Sequence, residues 1–161
     1  MIIKYSKKIT QLFRRRASRS QKAGKELENL VENMFKKRLM LNVKTNVRLK
    51  DKNGDYSEID VVYGLFLKTY VECKNYSNQP VPLKDVAKFK EVLILNGIHP
   101  HRGLFITTSD YVPRARKIGV KTIDGKQLKT MQRLSLPIGI TKCFLYITGT
   151  LLAFQYLAEN Y

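Results

Sequence analysis

The sequence predicts one α/β domain, built from alternating strands and helices and followed by an apolar tail. Residues 57–62 and Thr69–Lys74 alternate apolar and polar side chains, which is the two-residue period of a half-buried β-strand. Helical patterns, with apolar residues at three- and four-residue steps, precede and follow these two segments. The order of helix, three strands, helix, strand, helix and strand is that of a layered α/β domain.

Each element can be placed by its pattern and its boundaries. The first helix is expected over residues 22–40, because its apolar stripe begins at Leu27, and a strand is expected over residues 42–49. A short segment with Gly64 separates residues 57–62 from Thr69–Lys74, so these two strands should form a β-hairpin. The later elements are a helix over residues 83–96, a buried strand over 103–109, a helix over 112–118, a strand over 120–124 and a helix over 126–133. The predicted domain therefore covers residues 24–133.

The charge of the chain points to a polyanionic partner. Its formal net charge is +17, from 30 Lys and Arg against 13 Asp and Glu. Such an excess favours nucleic acid or an anionic membrane surface. Cys73 lies in a predicted strand and Cys143 in the apolar tail, so both are expected to be reduced and no disulfide framework is predicted. His99 and His101 bracket a proline with no cysteine or acid nearby, which is typical of a loop and not of a zinc site.

Residues 1–23 form a basic segment that is distinct from the predicted domain. They contain several arginines and lysines, no acidic residue, and apolar side chains that could share one face of a helix. This composition is typical of a mitochondrial import segment, so we expect a mitochondrial protein. The alternative is an arm that grips nucleic acid directly in a cytoplasmic protein.

The tail, residues 136–158, is almost entirely apolar or small. Residues 138–157 are long enough to cross a bilayer, which takes roughly 20 residues in a helix. Basic residues precede the segment, and Lys142 near its start could reach the interface, so a transmembrane helix in the mitochondrial inner membrane is one interpretation. The other interpretation is a core or dimer helix, for which Lys142 inside the segment is the best argument.

The two paired strands carry the residues that suggest chemistry. In the right register, Asp60 on one strand converges with Glu72 and Lys74, which share a face of the next strand. Asp60, Glu72 and the backbone carbonyl of Cys73 would bind Mg²⁺ or Mn²⁺, hard cations that prefer oxygen ligands. Lys74 would hold or help to deprotonate a water that attacks a phosphodiester. The same residues could instead form a cross-strand ion pair that only stabilises the sheet.

An acid followed by Glu-x-Lys on the next strand of a basic α/β protein resembles the PD-(D/E)xK nuclease superfamily, and within it the Mrr-like restriction endonucleases. The resemblance covers roughly residues 24–131 and also includes the run Gly103-Leu104-Phe105-Ile106-Thr107-Thr108 and the first-helix pattern Gly24-Lys25-Glu26-Leu27-Glu28. It implies a restriction-endonuclease-like mixed sheet flanked by helices, Mg²⁺-dependent cleavage of DNA, and Glu28 as an additional acidic site residue.

The sequence departs from the family pattern at two places. Ile59 stands where the family has its name-giving proline, and residues 53–58 replace a glycine-rich run before the first aspartate. The predicted function is a metal-dependent DNA endonuclease, and a resolvase-like or repair nuclease is the alternative within the superfamily. The alternative outside it is a catalytically silent protein on the same fold that binds nucleic acid or is tethered to a membrane. Many relatives act as dimers, so the resemblance also allows a homodimer.

Overall fold

A computed structural model describes the backbone of residues 2–76 and 79–160, and the side chains of residues 18–76 and 79–158. The predicted apolar and basic side chains of residues 1–17 lie outside the described residues. Residues 77–78 also lie outside the described residues; they belong to the loop predicted between Lys74 and the helix that begins at Leu83.

The described chain contains a five-stranded mixed sheet with the strand order β1-β2-β3-β4-β5. The strands β1, β2 and β3 are antiparallel to one another, whereas β4 and β5 run parallel to β3. Their bounds are β1 Lys44–Lys50, β2 Tyr56–Tyr63, β3 Thr69–Lys74, β4 Gly103–Thr107 and β5 Lys121–Ile123. The predicted α/β fold with a mixed sheet and the predicted hairpin between β2 and β3 are confirmed.

Helices cover both faces of the sheet. They are α1 Ile2–Lys37, α2 Leu83–Leu95, α3 Gly125–Arg133 and α4 Ser135–Asn160. One buried cluster joins α1 and α3 to one face, with Val31, Phe35 and Leu128 packed on β-strand residues such as Val71 and Ile106. A second cluster joins α2 to the other face, where Phe89 and Phe105 meet edge to face with ring centroids 5.9 Å apart. The side chains of Leu104, Phe105 and Ile106 in β4 are therefore buried on both faces of the sheet, as the continuous apolar run predicts.

Two predicted helices differ from those observed. The first helix starts much earlier than residue 22 and passes through Gly24 without a break. It ends at Lys37, because Leu39 and Asn42 take positive φ angles of 51° and 53° that a right-handed helix cannot contain.

The predicted helix over residues 112–118 is wrong, since only a short 3₁₀ turn forms, Ala115–Lys117. The backbone of this segment is held elsewhere: the Val112 amide donates to the Val81 carbonyl at 3.2 Å, and Tyr111 forms a bridge with Val81. Gly119, with φ of +90°, then ends the turn. Too few residues remain between these two points for an α-helix.

The strand directions give the domain two distinct ends. We call the end at which β3, β4 and β5 begin the base end. The turn between α1 and β1 lies there too, because Lys44 of β1 pairs with Val62 near the end of β2. The loop between β2 and β3 lies there as well, because it directly precedes β3.

Helix α4 starts at this base end and then leaves the domain. Its first turns pack against the end of α1, where a side chain at Gly139 would overlap the Lys37 carbonyl. Beyond Lys142 its described side chains are almost all exposed. By length and composition alone, Ser135–Ala158 is long and apolar enough to cross a membrane, and within the described chain it is the helix that meets that test.

Candidate active site

Asp60 lies where β2 separates from β3. The pairing of the two strands ends at Val61 and Val71, and the Asp60 carboxylate replaces the next ladder bond: its Oδ2 accepts a 2.6 Å hydrogen bond from the Cys73 amide. Strand alternation is broken at the same point, because Ile59 packs with α2 whereas Val61 packs with α1. This irregularity turns Asp60 towards β3, which strict alternation along residues 57–62 would not predict.

Glu72 and Lys74 share one face of β3, as their spacing predicts. Both line a cavity of about 410 Å³ between the sheet and α2, opposite the face on which Val71 and Cys73 are buried. The end of β3 is fixed by the buried Thr107, whose hydroxyl donates to the Lys74 carbonyl at 2.8 Å. The lysine therefore projects from a backbone position that is held by the neighbouring strand.

Asp60 and Glu72 repel each other in a largely desolvated site. Burial is the main cause that raises the pKa of the Glu72 carboxyl well above its ordinary value, and the negative charge of Asp60 adds to it. Burial likewise raises the pKa of Asp60, helped by the charge of Glu28 and opposed by the hydrogen bond from Cys73. Lys74 favours the charged form of both acids. Two close carboxylates and one lysine thus form a single electrostatic unit.

Glu28 reaches this unit from α1, close enough for its charge to act on both Asp60 and Glu72. It also forms an ion pair with Lys25, with Lys25 Nζ and Glu28 Oε2 2.7 Å apart. Lys25 Nζ in turn donates to the Asn46 side chain on β1 at 3.3 Å. All four residues predicted from the sequence, Glu28 included, are therefore neighbours in the structure, although Glu28 is engaged by a cation of its own helix.

Helix α2 contributes residues that the sequence did not point to. Asp85 and Lys88 line the same cavity as Glu72, and the charge of Lys88 favours the ionised form of Glu72. Asp85 accepts a hydrogen bond from the Tyr76 hydroxyl. Their three-residue spacing on one helix was a usable signal, but the apolar stripe of α2 does not show which residues of the sheet its polar edge will meet.

The residues at the site suit a hard divalent cation. Asp60 and Glu72 supply two carboxylates whose mutual repulsion and burial a cation would relieve, and oxygen ligands are those that Mg²⁺ and Mn²⁺ prefer. Across the described residues, no group of three or more His, Cys, Asp or Glu side chains is arranged to hold a metal. Any complete ligand set here would therefore need backbone carbonyl or water oxygens beside the two carboxylates.

A mixed sheet flanked by helices, with two acids and a lysine where its second and third strands part, defines a restriction-endonuclease-like fold. The restriction endonuclease family Mrr_cat matches residues 20–134, most of the chain. The protein belongs to this family. A comparison with curated proteins gave no match.

Three solved structures illustrate what the chain is similar to. AF1548, a protein of unknown function, is 24% identical, with 60% of this chain and 55% of that chain covered and a TM-score of 0.48. Can2 from Sulfobacillus thermosulfidooxidans, in complex with cyclic tetra-adenylate, is 18% identical, with 74% and 36% covered and a TM-score of 0.48. The DNA modification-dependent restriction endonuclease AspBHI is 15% identical, with 79% and 40% covered and a TM-score of 0.35. The chain thus spans little more than half, or less, of the length of each.

Proposed function

We propose that this protein is a metal-dependent endonuclease that hydrolyses phosphodiester bonds in DNA. The observation that carries this function is the set of Asp60, Glu72 and Lys74, whose charges act on one another inside a domain of the restriction endonuclease family, with Glu72 and Lys74 lining one cavity. A cross-strand ion pair alone needs one acid and one base. Two half-buried carboxylates held against each other cost stability, and a bound metal ion would offset that cost.

Asp60, Glu72 and the Cys73 carbonyl would hold a Mg²⁺ or Mn²⁺ ion, which would neutralise phosphate charge and lower the pKa of a bound water. The chain's own residues orient the ligands and position the lysine. The Cys73 amide fixes the orientation of the Asp60 carboxylate, and the hydrogen bond from Thr107 fixes the end of the strand that carries Lys74. Lys74 would orient the attacking water and stabilise the charge that develops on the phosphate.

Other cations give the site its affinity for a polyanion. Lys88 lies on the opposite wall of the cavity from the sheet, and Lys25 lies beside Glu28 on α1. With a net charge of +17, nonspecific contacts to phosphates should make DNA binding strongly dependent on salt. Glu28 would then act as a further acid that keeps Lys25 in place and raises the negative potential at the metal position.

We infer a mitochondrial location, with α4 spanning the inner membrane. The composition of residues 1–23 supports import, and the length and exposure of Ser135–Ala158 support a membrane span. Fractionation of cells that express a C-terminally tagged full chain, followed by carbonate extraction of their mitochondria, tests both the location and the membrane span. Recovery in the soluble fraction would contradict the span, and a cytoplasmic signal would favour the basic-arm interpretation of residues 1–23.

Cleavage of supercoiled plasmid by the purified full chain in detergent tests the activity. Asp60→Asn keeps an acceptor for the Cys73 amide, so it removes the charge with little disturbance of the fold, and Lys74→Met removes the cation. Each should lower the rate on the order of 10²–10³-fold, the usual effect of deleting one charge-stabilising group. The matched controls, Glu91→Gln on the outside of α2 and Lys121→Met on β5, change exposed residues and should cut at the wild-type rate.

Four readouts separate the alternatives. EDTA should stop cleavage, and added Mg²⁺ or Mn²⁺ should restore it. Equal rates in the wild type, Asp60→Asn and Lys74→Met would remove the proposed site. A wild-type protein that binds DNA but does not cleave it in the presence of Mg²⁺ or Mn²⁺ would favour the catalytically silent alternative. Cutting both strands in one encounter requires two sites, so the ratio of linear to nicked product also tests a homodimer.

A further inference from the structure

We propose that the base end of the domain lies directly on an anionic lipid bilayer, with the loop residues Leu65, Phe66 and Leu67 inserted into its interface. These three residues are called the apolar tip below. The inference rests on the proposed membrane span of α4 and adds a second, separate contact with the bilayer. Its consequence is a fixed orientation, in which the nuclease cavity faces away from the membrane.

The apolar tip is built to remain exposed. Leu65, Phe66 and Leu67 are 53%, 96% and 77% exposed, and they follow one another in the loop between β2 and β3. Gly64 makes the loop tight: its φ is +107°, and a side chain there would overlap the Leu67 carbonyl. A soluble surface gains nothing from three consecutive exposed apolar residues, so a contiguous patch of this kind marks an interaction site.

Hydrogen bonds place the apolar tip at the same end as the start of α4. The Gly64 amide donates to the Leu41 carbonyl at 2.7 Å, which joins the loop to the turn after α1. The same turn is joined to α4, because Lys142 Nζ donates to the Arg38 carbonyl at 3.2 Å. Leu39 and Leu41 in this turn are 43% and 56% exposed, so apolar surface extends from the tip towards α4.

The charges at the base end suit an anionic surface. Four segments meet there, residues 37–42, 63–69, 98–104 and 133–142, and none of them contains an acidic residue. Arg102 Nε donates to the Lys68 carbonyl at 2.7 Å, which places two cations next to the tip. Arg38 Nε is shielded from solvent and, within the described part of the chain, has no hydrogen-bond partner. The cations that these segments carry are Lys37, Arg38, Lys68, Arg102, Arg133 and Lys142. Basic residues next to a membrane span each gain about 1 kcal/mol from anionic lipid.

The occupant that fits this surface is lipid and not another protein. A helix that docks on a protein exposes one apolar stripe, whereas Phe144, Leu145, Tyr146 and Ile147 are all more than half exposed. Four consecutive residues go round the whole circumference of a helix, at about 100° each. The apolar tip extends the exposed apolar surface of α4 and lies next to the basic residues of the base end. Apolar residues beside basic ones are the arrangement found at a bilayer interface.

The strand directions then set the orientation of the cavity. Thr69, the first residue of β3, adjoins the apolar tip, and Glu72 and Lys74 come later in the same strand. At about 3.3 Å per residue, these two side chains lie roughly 10 and 17 Å further from the base end. The cavity thus lies on the part of the domain that is remote from the bilayer, where DNA can approach it.

Single tryptophan reporters test this placement, because the chain contains no tryptophan. Phe66→Trp reports on the apolar tip, Phe154→Trp on α4, and Tyr56→Trp on the end of the sheet opposite the base. The full chain is reconstituted in vesicles of zwitterionic and anionic phospholipid with brominated acyl chains, which quench only fluorophores that reach the hydrocarbon. Phe66→Trp and Phe154→Trp should lose most of their emission, while Tyr56→Trp should be unaffected.

The outcomes separate this inference from the membrane span on which it rests. Quenching of Phe154→Trp with no quenching of Phe66→Trp would leave the span intact and overturn the proposed contact. No quenching at either position would overturn both. A blue shift of Phe66→Trp that brominated lipid does not quench would indicate a protein on the tip, such as a second copy, and would also overturn it. Removing the anionic lipid should weaken the quenching of Phe66→Trp and leave that of Phe154→Trp unchanged.

Discussion

The substitution Glu72→Gln should make the metal-free protein more stable while it removes activity. Burial and the charge of Asp60 raise the pKa of the Glu72 carboxyl from 4.5 to about 8. The folded protein therefore keeps a proton that the unfolded chain loses as the pH rises above 4.5, so unfolding becomes easier with rising pH until the folded form also ionises. Glutamine does not titrate, and this loss of stability should be absent in the variant.

The size of the effect follows from the same pKa. Each tenfold step in proton affinity is worth about 1.4 kcal/mol, so the raised pKa sets a ceiling of roughly 5 kcal/mol. Glu72 is only half-buried, and Asp60 relaxes when its neighbour is neutral, so we expect a gain of about 1–3 kcal/mol at high pH. At acid pH, where both forms are uncharged, the two proteins should unfold at nearly the same urea concentration.

Urea unfolding of the full chain in detergent and EDTA, followed by circular dichroism from pH 5 to 9, measures this difference. The gap between the variant and the wild type should open as the pH rises and close again when Mg²⁺ is added to the wild type. Glu91→Gln, which changes an exposed acid on α2, serves as the control and should show no gap. A gap that does not depend on pH, or a variant that is less stable at pH 9, would refute the coupling of the two carboxylates.

Three further substitutions test the parts around the site. Lys88→Ala should weaken DNA binding and slow cleavage, whereas Lys84→Ala on the exposed side of α2 should do neither in gel-shift and plasmid assays; equal effects would deny Lys88 a role in the cavity. Gly64→Ala should lower the free energy of unfolding by about 1–3 kcal/mol, because its positive φ and a neighbouring carbonyl exclude a side chain, and an unchanged urea midpoint would contradict this. Thr107→Val leaves the Lys74 carbonyl without its buried donor, which should cost about 1–3 kcal/mol in unfolding and also slow cleavage; full activity would show that the hydrogen bond does not position Lys74.

Much of the sheet could be predicted from the sequence, because alternating side chains and a turn glycine within a few residues are enough to indicate its strands. The alternation in Thr69–Lys74 predicted both the strand and the shared face of Glu72 and Lys74, and Gly64 predicted the turn. The placement of Asp60 could not be derived in the same way. It depends on a side-chain hydrogen bond to a residue 13 positions away, and this bond exists only after β2 and β3 have met.

The remaining differences have the same origin. Residues 112–118 carry a helical pattern, but Tyr111 and Val112 are held by Val81 across the fold, and tertiary pairing overrides local propensity. Lys88 was not predicted because a helix shows its apolar stripe in the sequence but not the neighbour that its polar edge will face. The apolar side chains of residues 1–23 could share a helix face, but nothing in the sequence showed that this segment and the helix expected from residue 22 form one continuous helix.

The junction between α3 and α4 limits where such an enzyme could work. Helix α3 ends at Arg133 and α4 begins at Ser135, so one residue separates the nuclease-family domain from its proposed anchor. A flexible tether would let a domain sweep a volume that grows with linker length, and this junction allows no such search. The enzyme would act only on DNA that is already brought to the membrane surface, at a fixed height above it. Its choice of substrate would then be set by which DNA is held there as much as by the residues of the cavity.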